Sequence, residues 1–205
     1  MDVIIDGVAG FQFATPPVDV LDAISIVSND LRSRGRAILS LSRNGENIKP
    51  DMLVKVLSGK TLEDVSSLAV YSEAVDVLVD SCLKEIEQVL PELPEVCHRL
   101  AEVFQGESPE AGFAPFERLA VIWQTIKERE IQAFDALAID IASIDIAGEP
   151  LSRIHDELNQ YINEAAEALK AGDCILLGDL LEYELAPRAE TEVAIVKLLR
   201  SKVSG

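Results

Sequence analysis

The chain has 205 residues, is 48% apolar and 26% charged, and carries a net charge of −18. That composition supports an ordinary buried core and argues against disorder. The charge opposes phosphate backbones and anionic lipid surfaces, so neither nucleic acid nor membrane is an expected partner. Only 5% of the residues are aromatic, which leaves the packing to aliphatic side chains.

No run of 18 uncharged apolar residues occurs, so no transmembrane helix is expected. The opening MDVIIDG lacks a cationic segment and a long apolar run, and predicts no secretory signal. Cys82, Cys97 and Cys174 are an odd, widely spaced set among apolar neighbours. They predict core thiols in a reducing cytoplasm rather than disulfides or a metal framework.

In chain order, Val3–Ile5 is a short apolar run that predicts a strand. Pro16-Pro17 then precedes Val18, Leu21, Ile24 and Leu31 at helical spacing, with a stop near Gly35. Leu39 and Leu41 alternate with Ser40 and Ser42 ahead of Asn44-Gly45, a type I′ hairpin signal. Pro50 to Leu57 predicts a short helix stopped by Gly59. The segment SSLAVYS predicts a last strand, with Ser72 as the cap of the next helix.

Beyond Ser72 the period changes from two to three-to-four. Val75, Leu78, Val79, Cys82, Ile86 and Val89 make one helical stripe, interrupted by Pro91 and Pro94 and resumed up to Gly106. A second runs through Phe116, Leu119, Trp123, Ile126, Phe134, Leu137, Ile141 and Ile144. Its step of eight after Ile126 predicts a stutter or bend near Glu130. A third stripe runs from Leu151 to Leu169. A fourth holds Leu177, Leu180 and Leu181 and continues after Pro187 through Val193, Val196 and Leu199. Pro187 lacks a donor and crowds the Tyr183 carbonyl, so a kink or break is expected there.

Charge changes at the same place. Residues 1–72 hold 9 acidic and 7 basic side chains, residues 73–205 hold 27 and 11. The predicted fold class is α+β. A small N-terminal α/β two-layer unit (1–72) precedes an antiparallel four-helix bundle (73–205), with no strand between residues 75 and 200.

Motifs that carry chemistry fail on inspection. Ser58–Thr61 reads SGKT, but Val54 stands where a phosphate-binding loop needs its first glycine. Glu95 and His98 have di-iron spacing, yet His155 has Ser152 three residues before it, so no second pair exists and no metal or cofactor is expected. Cys97 and His98 are helix neighbours and point about 100° apart. His155-Asp156 lacks the further histidines of a metal phosphohydrolase, and HDEL at 155–158 is internal. Arg32, Arg34, Arg36 and Arg43 form a basic cluster that suits a helix end and a sheet edge.

The stretch GDCILLGDLLEYELAPRAE, from Gly172 to Glu190, crowds carboxylates among leucines. Leu177, Leu180 and Leu181 are expected to face a core, and Asp179 and Glu182 to reach water. Asp179, Glu182 and Tyr183 make a candidate docking face. The stretch resembles a segment of uncharacterised bacterial helical-bundle proteins, of the form D-x-x-L-L-A-D-L-L-E-Y-E-L-x-P. Asp173, Leu176, Leu177, Asp179 to Leu185 and Pro187 match, and Gly178 replaces the usual alanine. The resemblance implies a bacterial cytoplasmic bundle and no reaction. The expected function is a non-enzymatic interaction module that binds a protein partner or itself. The alternative is an enzyme or small-ligand binder with a pocket between the two units.

Overall fold

The computed structural model describes residues 1–203 and divides into two compact units, Met1–Leu78 and Val79–Gly205. The protein is α+β: its sheet lies in the first unit, and the second is mostly helical.

The first unit runs β1 (Asp2–Ile5), β2 (Val8–Ala9), α1 (Val20–Ser33), β3 (Arg36–Arg43), β4 (Glu46–Ile48), α2 (Leu53–Leu57) and β5 (Ser67–Ala74). The strand order is β2-β1-β5-β3-β4, with β1 parallel to β5 and the other neighbours antiparallel. Asp19 caps α1 by accepting from the Asp22 N–H, which satisfies a donor that the first turn leaves free. Val20, Ile24, Val27 and Leu31 of that helix then bury against Val3, Leu41, Leu68 and Val70 of the sheet. Asn44 and Gly45 both have positive φ, as the predicted two-residue hairpin requires.

Two local expectations change. Leu39 does not share a face with Leu41, because a bulge between Ile38 and Ser40 turns Leu39 outward. Ser72 is not a helix cap: it lies within β5 and joins a polar network. Its N–H and hydroxyl donate to Asp6 at 2.7 and 2.8 Å, and Arg36 Nε donates to its hydroxyl at 2.8 Å. The basic cluster is largely matched by acid, with Arg34 on Asp30, Arg36 on Asp6 and Arg43 near Glu46. Gly59 ends α2 with positive φ, and Thr61 and Asp64 close a capping box where a phosphate loop would lie.

The helical elements are α3 (Val75–Val89), α4 (Leu93–Phe104), α5 (Phe113–Ala136), α6 (Leu151–Ala171), α7 (Cys174–Asp179) and α8 (Ala186–Val203). The expectation of an uninterrupted helical half fails between α5 and α6. There β6 (Asp145–Ile146) pairs antiparallel with β7 (Glu149–Pro150). The stripe that was to include Leu137, Ile141 and Ile144 stops because Ala138 turns left-handed and Asp140 caps a short 3₁₀ turn over Ile141–Ser143. Ala147 and Gly148, both with positive φ, then close a two-residue hairpin, and Asp145 accepts from the Gly148 N–H.

Between α7 and α8 the backbone stays helical but widens into a π turn over Leu180–Leu185, where the Ala186 N–H bonds to the Leu181 carbonyl. Pro187 follows at once. Proline donates nothing to the ladder and crowds the carbonyl four residues back, and the wider turn accommodates both. The expected break is thus a change of pitch. It has a packing consequence: Leu177, Leu181, Leu185 and Ala189 are all buried at steps of four. In an ideal α-helix twelve residues wind about 1200°, which would leave Ala189 roughly 120° from Leu177. The π turn winds less per residue and keeps them on one face.

Candidate functional site

Four ionisable side chains meet inside the helical unit. Glu130 of α5 and Glu192 of α8 are both 0% exposed, and His155 of α6 and Arg188 of α8 are nearly so. Arg188 Nε donates to Glu192 Oε1 at 2.7 Å, and its Nη2 donates to the Ile154 carbonyl at 2.7 Å. His155 Nε2 lies 3.3 Å from Glu130 Oε2. Glu130 Oε1 and Glu192 Oε2 find no donor among the described residues.

The local helices place these groups by ordinary periodicity. On α5 the buried positions run Trp123, Ile126, Glu130, Ala133 and Phe134, so Glu130 fills the gap read as a stutter. On α6 His155 sits one turn after Leu151 and next to Ile154. On α8 the buried face is Arg188, Ala189, Glu192, Ile195, Val196 and Leu199, whereas Val193 is only half-buried. Sequence reading missed all four because it scored charged residues as solvent-facing. For Glu130, Arg188 and Glu192 the available signal was a charged residue where an apolar stripe skipped a turn; His155 lies in an unbroken stripe and gave none.

Electrostatics follow from enclosure. Burial raises the Glu130 carboxyl well above the usual carboxylate range, the Glu192 charge pushes the same way, and Arg188 opposes. Burial holds His155 below its ordinary value, with Glu192 opposing. The chemistry this permits is the holding of a proton within a buried, hydrogen-bonded set.

Arg188 and Ile154 also form the back of a surface cleft of ≈ 420 Å³, which Glu157, Glu190 and the β6–β7 tip at Ala147 border.

A second cleft, of ≈ 430 Å³, runs between α6 and α7. Ala168, Ala171 and Leu176 make its apolar wall, and Glu164, Glu167 and Asp173 rim it. Lys170 bonds Glu167 at 2.7 Å, so one rim carboxylate is already matched. Beside the cleft Ile175 is 71% exposed and Leu176 44%. The sequence-derived trio lies on the same continuous helix: Asp179 and Tyr183 are exposed, Glu182 is half-buried, and Leu177, Leu180 and Leu181 are buried. Leu176 was read only as part of a motif, and it becomes a surface residue because α7 buries Leu177 and Gly178 instead.

The remaining motif residues are dispersed. Glu95 and His98 are both exposed on α4, and Glu95 lies 3.8 Å from Arg99. Cys97 is buried against the Trp123 side chain, and burial pushes its thiol up to about 12, which makes it unreactive. Among the described residues no three His, Cys, Asp or Glu side chains are grouped to hold a metal. Among the same described residues no helix is long and apolar enough to cross a membrane.

Comparison with curated proteins and with solved structures returns no match to either. A family model described as a domain of unknown function, DUF8042, matches residues 81–191, a span that contains Glu130, His155 and Arg188 and ends one residue before Glu192. The chain belongs to the DUF8042 family.

Proposed function

We propose that this protein is a non-enzymatic interaction module of a bacterial cytoplasm, whose helical unit works as an antiparallel bundle and receives a cationic amphipathic helix from a protein partner. The observation that carries this reading is the cleft between α6 and α7, where an apolar wall is framed by Glu164, Glu167 and Asp173. Apolar side chains on one face of the guest would cover Leu176 and Ile175, and its lysines or arginines would meet the rim. Acid-rich surfaces steer such partners and favour fast association at low salt. Asp179, Glu182 and Tyr183 extend the same surface along the helix.

The test uses a synthetic Leu/Lys amphipathic peptide and amide chemical shifts of the full chain. Shifts confined to residues around Ala168, Leu176 and Asp179, weakened by salt and abolished by Leu176→Asp, support the reading. Absence of saturable shifts, or shifts that survive Leu176→Asp, refute it. Self-association through the same surface would appear as concentration-dependent shifts without peptide, and would replace the foreign partner with a second copy.

A second reading, a small-ligand binder or enzyme, draws on the polar cleft in front of Arg188. Glu130 and Glu192 have no exposed surface, so a substrate would have to be reached through Arg188. That obstacle places this reading second.

A further inference from the structure

We propose that Glu130 and Glu192 share one proton in the folded protein, and that this proton acts as a latch holding α5, α6 and α8 together, so that rising pH loosens the helical unit. The argument begins with charge. Two carboxylates and one guanidinium, all buried, would leave one net negative charge in a core otherwise built of leucine, isoleucine and tryptophan. An unmatched buried charge is costly, and the commonest remedy is neutralisation of the group itself. A proton on one carboxyl supplies both what the charge and what the geometry lack. It makes the cluster neutral, and it provides a donor for Glu130 Oε1 or Glu192 Oε2, the two oxygens that find none among the described residues.

The surrounding groups favour Glu130 as the proton's seat. Glu192 already has Arg188 at 2.7 Å. Glu130 faces the Glu192 charge and the weakly acidic Cys82 of α3, and Arg188 is the cation that opposes them. His155 does not take over: its enclosure disfavours the imidazolium most, and although Glu192 and Asp156 favour it, Arg188 and Lys127 oppose it, so that its net shift is downward. A neutral His155 can instead pair with Glu130 Oε2 through Nε2.

The linkage has a definite sign. Glu130 has a raised value when folded, so the stability it contributes is fully present below the unfolded glutamate value of about 4.3 and is lost as pH rises toward the folded value. Through that window the folding constant falls about tenfold per pH unit for one proton. His155 acts in reverse. Its value is lowered on folding, so its contribution is present above about 6.5 and is lost as pH falls below it. The carboxyl pair therefore limits the alkaline side and the imidazole the acid side.

The experiment compares wild type with Glu130→Gln, an uncharged isostere that keeps a donor. Urea unfolding is followed by the fluorescence of Trp123, the chain's single tryptophan, from pH 5 to pH 9. The wild-type folding constant should fall with pH by one proton more than that of Glu130→Gln, and the variant should be the more stable of the two at pH 9. Equal pH slopes overturn the proposal. Should the variant not fold, infrared spectroscopy of the wild type at pH 6 decides the matter. A protonated-carboxyl carbonyl band supports the shared proton, and its absence overturns it.

Discussion

Arg188→Met removes the one guanidinium in the cluster while keeping much of its volume. In the native chain that group satisfies Glu192 Oε1 and the Ile154 carbonyl, both at 2.7 Å, with Arg188 itself 7% exposed. Methionine can do neither. Glu192 would be left buried without its counter-ion, and the Ile154 carbonyl would lose its Arg188 donor. Breaking a buried pair from one side typically costs about 3–5 kcal/mol, a large part of a domain stability of roughly 5–15 kcal/mol. The double change Arg188→Met with Glu192→Leu removes both charges and should recover most of that loss, since apolar replacements of buried pairs are often neutral or better. Urea titration with Trp123 fluorescence measures all three variants, and near-constant slopes would show that the unfolded states are comparable. A single variant that loses less than about 1 kcal/mol, or a double variant no better than the single, would refute the account of the cluster as a desolvated, mutually dependent set.

Other substitutions separate the remaining features. Leu181→Ala should destabilise the helical unit by roughly 2–5 kcal/mol, because Leu181 has no exposed surface. Asp179→Asn, at an exposed position, should change stability by under about 0.5 kcal/mol; both are read by the same urea titration. Gly112→Ala would place a methyl 2.8 Å from the buried Phe104 ring, and should cost about 1–3 kcal/mol in thermal unfolding. Gly178→Ala meets the exposed, flexible Gln105 side chain at 2.7 Å, and with alanine's better helix propensity should be neutral or stabilising by up to about 1 kcal/mol. Ser72 and Arg36 hold Asp6 below the usual carboxylate range. Its contribution is present above the unfolded value of about 3.9 and lost as pH falls below it. Asp6→Asn should therefore flatten the acid limb of circular-dichroism stability curves.

The N-terminal unit was the more readable half because its signals are local. Asn44-Gly45 fixes a hairpin through backbone sterics, and α1 has both a capping residue and a regular stripe. The helical half follows periodicity as far as Ala136. It then departs where Ala138 adopts a left-handed conformation that nothing in an alanine-rich segment announces. Glu130, His155, Arg188 and Glu192 were hidden for a different reason. A charged residue at an inward position is acceptable only when its partners arrive from other helices, and that information is tertiary. Around Asp179 the periodicity places Leu177, Leu180 and Leu181 inward, as found, but the exposure of Leu176 and Ile175 required the actual rotation of α7.

The widened turn at Leu180–Leu185 makes the chain's tolerance of length changes uneven. Loss of a single residue there would let the segment relax to ordinary winding, and the eleven steps then left between Leu177 and Ala189 wind about 1100°, within roughly 20° of three full turns. Arg188 and Glu192 would keep their direction toward Glu130 and His155, and Ile195 and Leu199 would stay on the core side. One residue lost from the regular winding of α6 or α8 has no such relief: it would rotate everything after it by about 100° and resemble several simultaneous core substitutions. The exposed β6–β7 tip at Ala147-Gly148 is instead a place where added residues project into solvent and leave helical phase untouched. Natural or engineered variants should accordingly differ in length near Ala147 or by one residue within Leu180–Leu185, and keep an invariant residue count through the regular winding of α6 and α8.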